Sequence, residues 1–306
     1  MGTPAFAATI LQHLIFEGLQ PVGIVCQPAR AVGRGLKTEL SEVEKLAVAA
    51  DLPLLATADI NTPEAHATLQ SWQPDLFLVA AFGQILKKST LAIPKLFSLN
   101  VHGSLLPKYR GAAPIQRAVL DGQARSGITI QKMALKMDTG DILLQKPTPI
   151  GENETATQLF QRLALLGAEA LAESVRSIQA GQYTFTPQEE AEATYAPKLR
   201  KDEALVDWNR PAEAIARQVR GLQPWPIAET KLGGVRMKIF AAEAVMATGE
   251  SEPGSISTDH KTRLVVTCGH STALSLTQIQ LENRKKLETR DFLMAYQGKF
   301  PFLKMG

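Results

Sequence analysis

Residues 96–111 read Leu-Phe-Ser-Leu-Asn-Val-His-Gly-Ser-Leu-Leu-Pro-Lys-Tyr-Arg-Gly, an apolar run that leads into a segment rich in turn residues. The run from Leu96 to His102 has the length of a buried β-strand, and the glycine and proline after it predict a loop. Side chains alternate along a strand, so Asn100 and His102 are expected on one face. At a strand end, where α/β sheets bind ligands, this amide and imidazole form a plausible polarising and proton-transferring pair.

Similar apolar runs lie on both sides of this stretch. Residues 21–27, 75–82 and 127–133 also have the length of buried strands, and residues 5–18 and 40–50 fit helices. Continuous apolar strands that alternate with helices are typical of a mostly parallel sheet covered on both faces. We therefore predict an α/β first domain with a Rossmann-like sheet.

The pattern changes after a long amphipathic helix predicted for residues 155–180. Polar residues 182–194, with Pro187, show neither a helical nor a strand period, and short apolar pieces with frequent turns follow Tyr195. Short strands separated by turns favour a small β-barrel, of OB-like type, for the C-terminal part. The predicted organisation is a first domain over 1–181, a linker over 182–203 and a second domain over 204–306.

Composition excludes several classes of protein. The 306 residues are 45% hydrophobic and carry a net charge of +3. No stretch reaches the ~20 consecutive apolar residues of a membrane span, and the N-terminus lacks a signal-peptide pattern, so we expect a cytoplasmic protein. Cys26 and Cys268 have no CxxC spacing and are expected to be reduced thiols. The sequence shows no metal-ligand cluster and no nucleotide-binding glycine motif, so no metal is expected.

The formal charge is unevenly distributed. Residues 191–306 contain 17 Lys and Arg against 13 Asp and Glu. The C-terminal third is therefore the better candidate for contact with phosphates, although surplus lysines also occur on ordinary solvated surfaces.

The twelve residues 100–111 resemble the signature of the 10-formyltetrahydrofolate-dependent formyltransferases. In that family the loop after the catalytic histidine reads Ser-Leu-Leu-Pro, as residues 104–107 do here. The family also has a catalytic aspartate 38 residues after the asparagine, and that position in this chain is Asp138. The resemblance implies that Asn100, His102 and Asp138 form the catalytic trio.

Four further segments narrow the resemblance to one group of proteins within this family. Residues 2–6, 27–35, 111–117 and 223–226 are similar to the family members that act on initiator methionyl-tRNA. The implied reaction transfers a formyl group from 10-formyltetrahydrofolate to the amino group of the methionine, for translation initiation. The implied partners are initiator methionyl-tRNA and the folate, and we expect a monomer without membrane association.

The resemblance also implies ligand contacts. For the folate they are Ser104, Leu105, Leu106, Pro107, Phe82, Gly83, Gln84, Ile85 and Leu86. For the tRNA the resemblance implies contact with the loop that contains Arg30, Arg34 and Lys37. From their charge alone, we also expect tRNA contacts at Arg110 beside the centre and at Lys198 and Arg200 in the C-terminal third of the chain.

The sequence departs from the family at its start. Family members open with an apolar strand that runs into Gly-Thr-Pro, whereas this chain reads Met1-Gly2-Thr3-Pro4. We therefore expect a central strand to be missing, with a start codon assigned too late as the simplest cause. Its neighbours, residues 21–27 and 75–82, would then pair directly or leave backbone groups unpaired.

Two other functions stay open at this point. One is a transferase that uses the same formyl donor on an amino-sugar nucleotide, because the His-Gly-Ser-Leu-Leu-Pro segment is shared. The other, suggested by the missing strand, is an RNA-binding protein without catalytic activity.

Overall fold

The computed structural model describes residues 1–32, 37–247, 249, 251–296 and 305. The chain divides into two compact units. The first comprises residues 1–114, 125–149 and 159–196, and the second comprises residues 115–124, 150–158 and 197–306.

The predicted alternation of strands and helices is confirmed in the N-terminal part of the chain. Its helices are α1 (Ala5–Phe16), α2 (Glu42–Ala49), α3 (Pro63–Ser71), α4 (Lys88–Leu91), α5 (Pro114–Leu120) and α6 (Ala156–Gln179). Its strands are β1 (Ile24–Cys26), β2 (Arg30–Val32), β3 (Lys37–Glu39), β4 (Leu54–Ala56), β5 (Leu76–Ala80), β6 (Phe97–His102), β7 (Arg110–Gly111), β8 (Arg125–Lys132), β9 (Ile142–Pro149) and β10 (Tyr195–Ala196).

The sheet of the first unit is parallel on one side of β6 and antiparallel on the other. Strands β1 and β4 pair in parallel, as do β5 and β6. Strand β8 then runs antiparallel to β6, and β9 antiparallel to β8. The α/β class is therefore confirmed, with an antiparallel edge added to the expected parallel sheet.

The position between β1 and β5 is taken by the first two residues. The Gly2 N–H donates to the Val25 carbonyl at 2.9 Å, and the Ala80 N–H donates to the Met1 carbonyl at 2.9 Å. The Met1 amino group also donates to the Leu78 carbonyl at 2.6 Å. Of the two alternatives expected from the sequence, direct pairing of β1 and β5 is therefore wrong, because residues 1–2 lie between these strands and hydrogen-bond to both.

One face of the sheet is closed by helix α6. A Cβ atom at Gly167 in this helix would lie 3.0 Å from Val101 and 3.4 Å from Ile128, so the helix packs closely on β6 and β8. Leu99 and Ile130 lie on the same apolar face and are fully buried. Because side chains alternate, Asn100 and His102 face the opposite side, where polar residues also meet from β8.

The segment after α6 is bound to the first unit. The rings of Tyr183 and Phe185 pack edge-on against Phe97, and Lys132 Nζ lies 5.5 Å from the Phe185 ring centre. Thr186 also exchanges two 2.8 Å backbone hydrogen bonds with Ile142. Part of the predicted 182–203 linker is thus held by aromatic packing that hydropathy patterning does not reveal.

The second unit is built on an antiparallel sheet. Its further elements are α7 (Ala212–Gly221), β11 (Ala228–Leu232), β12 (Val235–Met246), β13 (Ile256–Thr258), β14 (Leu264–Cys268), β15 (Thr272–Leu281), β16 (Leu287–Glu288) and α8 (Thr289–Ala295). The strand order is β11-β12-β15-β14-β13, with β16 also on β15. Ile215 and Val219 of α7 are fully buried in the core that this sheet forms. No helix in the described ranges is long and apolar enough to cross a membrane.

Candidate active site

Strands β6 and β8 together form the polar face of the sheet. In their antiparallel register Asn100 lies opposite Gln131, and His102 lies opposite Thr129. Directly opposed residues project to the same side, so these four side chains share one face. None of the described residues hydrogen-bonds the Asn100 amide, which is partly buried. This amide is therefore available to a bound substrate.

The His102 ring has a polar neighbour at each nitrogen. Its Nε2 lies 2.9 Å from the Tyr109 carbonyl oxygen, and its Nδ1 lies 3.6 Å from Asp138 Oδ1. A carbonyl oxygen only accepts, so Nε2 carries a proton and the neutral ring has its lone pair on Nδ1. The ring is 5% exposed. Nδ1 is thus the atom that can take up a proton beside Asp138.

The Asp138 carboxylate accepts a hydrogen bond at each oxygen. The Gly111 N–H donates to Oδ2 at 2.9 Å, and Gln131 Nε2 donates to Oδ1 at 2.8 Å. The backbone of Asp138 has a φ of 54°, in the left-handed region that asparagine, aspartate and histidine adopt more often than other non-glycine residues. The turn lies so close to β8 that a Cβ atom at Gly140 would be 1.6 Å from the Lys132 carbonyl oxygen. Only glycine permits this approach.

Arg110 supports this turn and does not reach the surface. Its side chain is 1% exposed, and its guanidinium donates to Gln188 Oε1 at 2.9 and 3.1 Å and to Glu190 Oε2 at 2.8 Å. Gln188 Nε2 in turn donates to the carbonyl oxygens of Asp138 at 2.9 Å and Gly140 at 2.7 Å. The guanidinium is buried and makes these three hydrogen bonds inside the unit, so this geometry does not support the expected contact between Arg110 and tRNA, which stays a prediction.

Residues 194–196 fix the loop that carries Tyr109. The Tyr109 N–H donates to Thr194 Oγ1 at 2.9 Å, and the Arg110 N–H donates to the Thr194 carbonyl at 2.9 Å. Strand β10 then pairs in parallel with β7. The carbonyl that orients His102 is thereby held by a segment 85 residues further along the chain.

The Ser-Leu-Leu-Pro loop is bound to the sheet by its backbone. Thr129 Oγ1 donates to the Ser104 carbonyl at 2.6 Å and accepts from the Leu106 N–H at 3.0 Å. Gln145 Nε2 donates to the Leu106 carbonyl at 2.8 Å. A Cβ atom at Gly127 would lie 2.5 Å from Leu105, so the loop packs directly on β8. Within the predicted folate loop, Leu105 keeps a partly exposed side chain.

The second predicted folate loop, residues 82–86, is held differently. Phe82 and Leu86 are buried in the core of the first unit. The Gln84 side chain accepts a hydrogen bond from the backbone N–H of residue 60 and donates one to the backbone carbonyl of residue 57. These three side chains therefore do not face a ligand, which corrects the sequence-based expectation. Ile85, at 70% exposure, and the exposed backbone of Gly83 remain available.

Two exposed apolar side chains lie just before Asp138 in the chain. Leu135 is 65% exposed and Met137 is 58% exposed. Neither residue was predicted from the sequence to contact a ligand. Within the described ranges no three His, Cys, Asp or Glu side chains are grouped to hold a metal ion.

The residues predicted to contact tRNA fall in two places. Lys198 and Arg200 are exposed in the second unit, where Arg200 Nε lies 3.1 Å from Asp202 Oδ1. Arg30 and Lys37 belong to the antiparallel pair β2–β3. Arg34 lies outside the described residues.

Gln131, Thr129 and Gln145 are the side chains that sequence reasoning missed. A signal existed, because Thr129 and Gln131 alternate with isoleucines in a strand predicted to be buried. Polar residues at every second position of such a strand indicate a polar face. The roles of Gln188 and Thr194 had no such signal, since only the fold brings them to the site.

Comparison with protein families agrees with this geometry. Residues 1–175 match the family described as formyl transferase, and residues 198–297 match its C-terminal domain. The chain belongs to the formyl transferase family. Asn100, His102 and Asp138 all lie within the first of the two matched regions.

Full-length relatives support this membership in the formyl transferase family. The methionyl-tRNA formyltransferase of Stutzerimonas stutzeri is 44% identical over 306 residues, covering 100% of this chain and 96% of that protein. That of Citrifermentans bemidjiense is 40% identical over 97% of this chain and 92% of that protein.

Solved structures share the formyl transferase fold at lower identity. The N-formyltransferase of Helicobacter canadensis, in complex with folinic acid and dTDP-3-aminofucose, aligns with a TM-score of 0.67 at 18% identity, over 92% of this chain and 97% of that one. HypX from Aquifex aeolicus, in complex with tetrahydrofolic acid, aligns with a TM-score of 0.60 at 18% identity, over 82% of this chain and 44% of that one.

Replacing Gln188 by alanine should impair this formyl transferase site without unfolding it. The Asp138 turn loses two donated hydrogen bonds, and a shift of about 1 Å in a reacting group costs on the order of 100-fold in rate. We expect kcat to fall about 10- to 100-fold and unfolding free energy to fall by about 1–3 kcal/mol, because Arg110 loses an acceptor. Steady-state kinetics and denaturant unfolding measure the two effects.

Gln182→Ala is the matched control for this variant. Gln182 lies in the same segment with an exposed side chain, so kcat and the unfolding free energy of this variant should keep their parental values. A Gln188→Ala protein with parental kcat would show that the turn does not need this glutamine.

Proposed function

We propose that this chain transfers the formyl group of 10-formyltetrahydrofolate to the methionine amino group of initiator methionyl-tRNA. The observation that carries the proposal is the His102 Nδ1 atom 3.6 Å from Asp138 Oδ1, on the sheet face that also presents Asn100. Formyl transfer needs a donor for the formyl oxygen and a group that moves the amine proton. The relatives named methionyl-tRNA formyltransferases support methionyl-tRNA as the acceptor.

The residues after β5 and β6 fit a reduced folate. A flat ring system needs apolar walls and a few polar groups. Leu105 and Ile85 supply apolar side chains on the loops that follow two neighbouring parallel strands, and Leu135 and Met137 add exposed ones beside Asp138. When bound, 10-formyltetrahydrofolate supplies the activated formyl group.

Each member of the trio has a separate task. Asn100 donates its amide hydrogens to the formyl oxygen, where negative charge grows during the attack of the amine. His102 accepts a proton at Nδ1, because its Nε2 is committed to the Tyr109 carbonyl. The Asp138 carboxylate, 3.6 Å from Nδ1, can accept a hydrogen bond from that nitrogen once it carries the proton.

We assign tRNA recognition to basic side chains outside this centre. Lys198 and Arg200 of the second unit are exposed, and Arg30 and Lys37 belong to the β2–β3 pair. Arg34, which lies outside the described residues, is included because of its position in the sequence between these two. Contacts of this kind bind the phosphate backbone and do not read the sequence of the bases. The proposed enzyme acts as a monomer in the cytoplasm at translation initiation.

Incubation with the formyl donor and each of two acceptors tests the reaction. We expect formylation of initiator methionyl-tRNA, while an amino-sugar nucleotide is not formylated. Asn100→Ala, His102→Ala and Asp138→Ala should each lower kcat at least about 100-fold, because loss of one oxyanion donor alone costs about 10²- to 10³-fold. Asp141→Ala, three residues beyond the trio, should keep parental kcat.

Two outcomes would overturn the proposal. Formylation of the amino-sugar nucleotide alone would assign a different acceptor. Binding of tRNA with no formyl transfer at any donor concentration would leave an RNA-binding protein without catalytic activity.

Charge removal in the second unit should weaken tRNA binding without affecting chemistry. Lys198→Ala and Arg200→Ala should each raise KM for the tRNA and leave kcat unchanged. The slope of log affinity against log salt concentration should become less steep by about 1, which corresponds to the loss of one phosphate contact. Binding titrations at several salt concentrations measure the slope. Lys95→Ala, at an exposed lysine paired with Asp75 in the first unit, is the control. Equal slopes in all three variants would remove Lys198 and Arg200 from the interface.

A further inference from the structure

Gln131 is a buried polar side chain in the middle of the site. It is 2% exposed and lies in β8 between Ile130, whose side chain faces the apolar side, and Lys132. Its register partner is Asn100, so both amides project from the same face of the sheet. A long polar side chain in such a position needs hydrogen-bond partners.

The two ends of the Gln131 amide differ. Nε2 lies 2.8 Å from Asp138 Oδ1, and because a carboxylate oxygen only accepts, the nitrogen must face it. Oε1 is buried and has no hydrogen-bond partner among the described residues. Burying an acceptor without a partner lowers stability, and methionine would avoid that cost at the same chain length. Stability alone therefore does not account for a glutamine here.

The bond to Asp138 fixes the plane of the carboxylate. The Gly111 N–H holds Oδ2, and a carboxylate held at one oxygen can still turn about its Cβ–Cγ bond. The second donor, Gln131 Nε2, holds Oδ1, which is the oxygen 3.6 Å from His102 Nδ1. Both oxygens are fixed only when both donors are present.

We propose that Gln131 is a positioning residue of the transfer reaction, whose amide N–H holds the Asp138 carboxylate against His102. The proposal rests on the proposed function, since it assigns Gln131 a task within that reaction. Gln131 acts through Asp138, so its loss should change the rate of the chemical step and leave ligand binding largely unchanged.

Gln145 provides a matched comparison on the same sheet. This glutamine of β9 donates to the Leu106 carbonyl at 2.8 Å and to Thr129 Oγ1 at 3.0 Å. It thus supports the loop proposed to hold the folate, and among the described residues it makes no hydrogen bond to the Asp138 carboxylate. The two glutamines should therefore affect different kinetic constants.

The test compares Gln131→Met and Gln145→Met in the full-length protein, with 10-formyltetrahydrofolate and initiator methionyl-tRNA. For Gln131→Met we expect kcat to fall about 10- to 100-fold while both KM values stay within about threefold. For Gln145→Met we expect KM for the formyl donor to rise about tenfold with kcat within about threefold. Thermal unfolding confirms that each variant is folded.

The proposal would be overturned if Gln131→Met kept the parental kcat. It would also be overturned if kcat fell and both KM values rose by the same factor. If Gln131→Met does not fold, Gln131→Val, whose branched side chain suits a buried strand, should give the same split. Failure of the proposed function is distinguishable, because the parental protein itself would then not formylate the tRNA.

Discussion

The structure of the site depends on the contact between the Asp138 carboxylate and the His102 ring. These residues lie 36 positions apart, and neither strand nor turn alone would bring them together. The contact exists because β6 and β8 pair antiparallel, which sets Gln131 beside Asn100 and brings the turn after β8 back over the polar face. Gly140 then allows the turn to approach β8 closely, and the donors from Gly111 and Gln131 fix both carboxylate oxygens.

The second constraint is the segment that follows α6. Its aromatic rings pack on Phe97, and its Gln188 and Thr194 bond the Asp138 turn and the Tyr109 loop. This segment therefore supports both the turn that carries Asp138 and the loop whose carbonyl oxygen faces His102. Buried Arg110 belongs to the same support, since it holds Gln188 in place. A charged residue within the family signature thus serves for internal positioning.

The sequence predicted the α/β class and the strand that carries Asn100 and His102, and it singled out Asp138, which the fold brings within 3.6 Å of the His102 ring. Apolar runs identify buried strands, and a residue spacing within a family signature identifies Asp138. Pattern analysis could not predict Arg110, because basic residues in a loop are exposed in most proteins and burial here depends on partners 78 and 80 residues away. It also treated Phe82 and Leu86 as ligand contacts, whereas they complete the core behind their loop. Contacts of long sequence separation leave no periodic signal.

The central claim is that the Tyr109 carbonyl fixes the His102 proton on Nε2, so that Nδ1 faces Asp138. Nitrogen-15 NMR of the histidine-labelled protein tests this most directly, with His102 assigned among the five histidines by comparison with His102→Ala. At a pH where the ring is neutral, we predict a protonated Nε2 and an unprotonated Nδ1 for His102. A neutral ring protonated on Nδ1 instead would contradict the account, because Nε2 would then have no hydrogen to donate to the Tyr109 carbonyl.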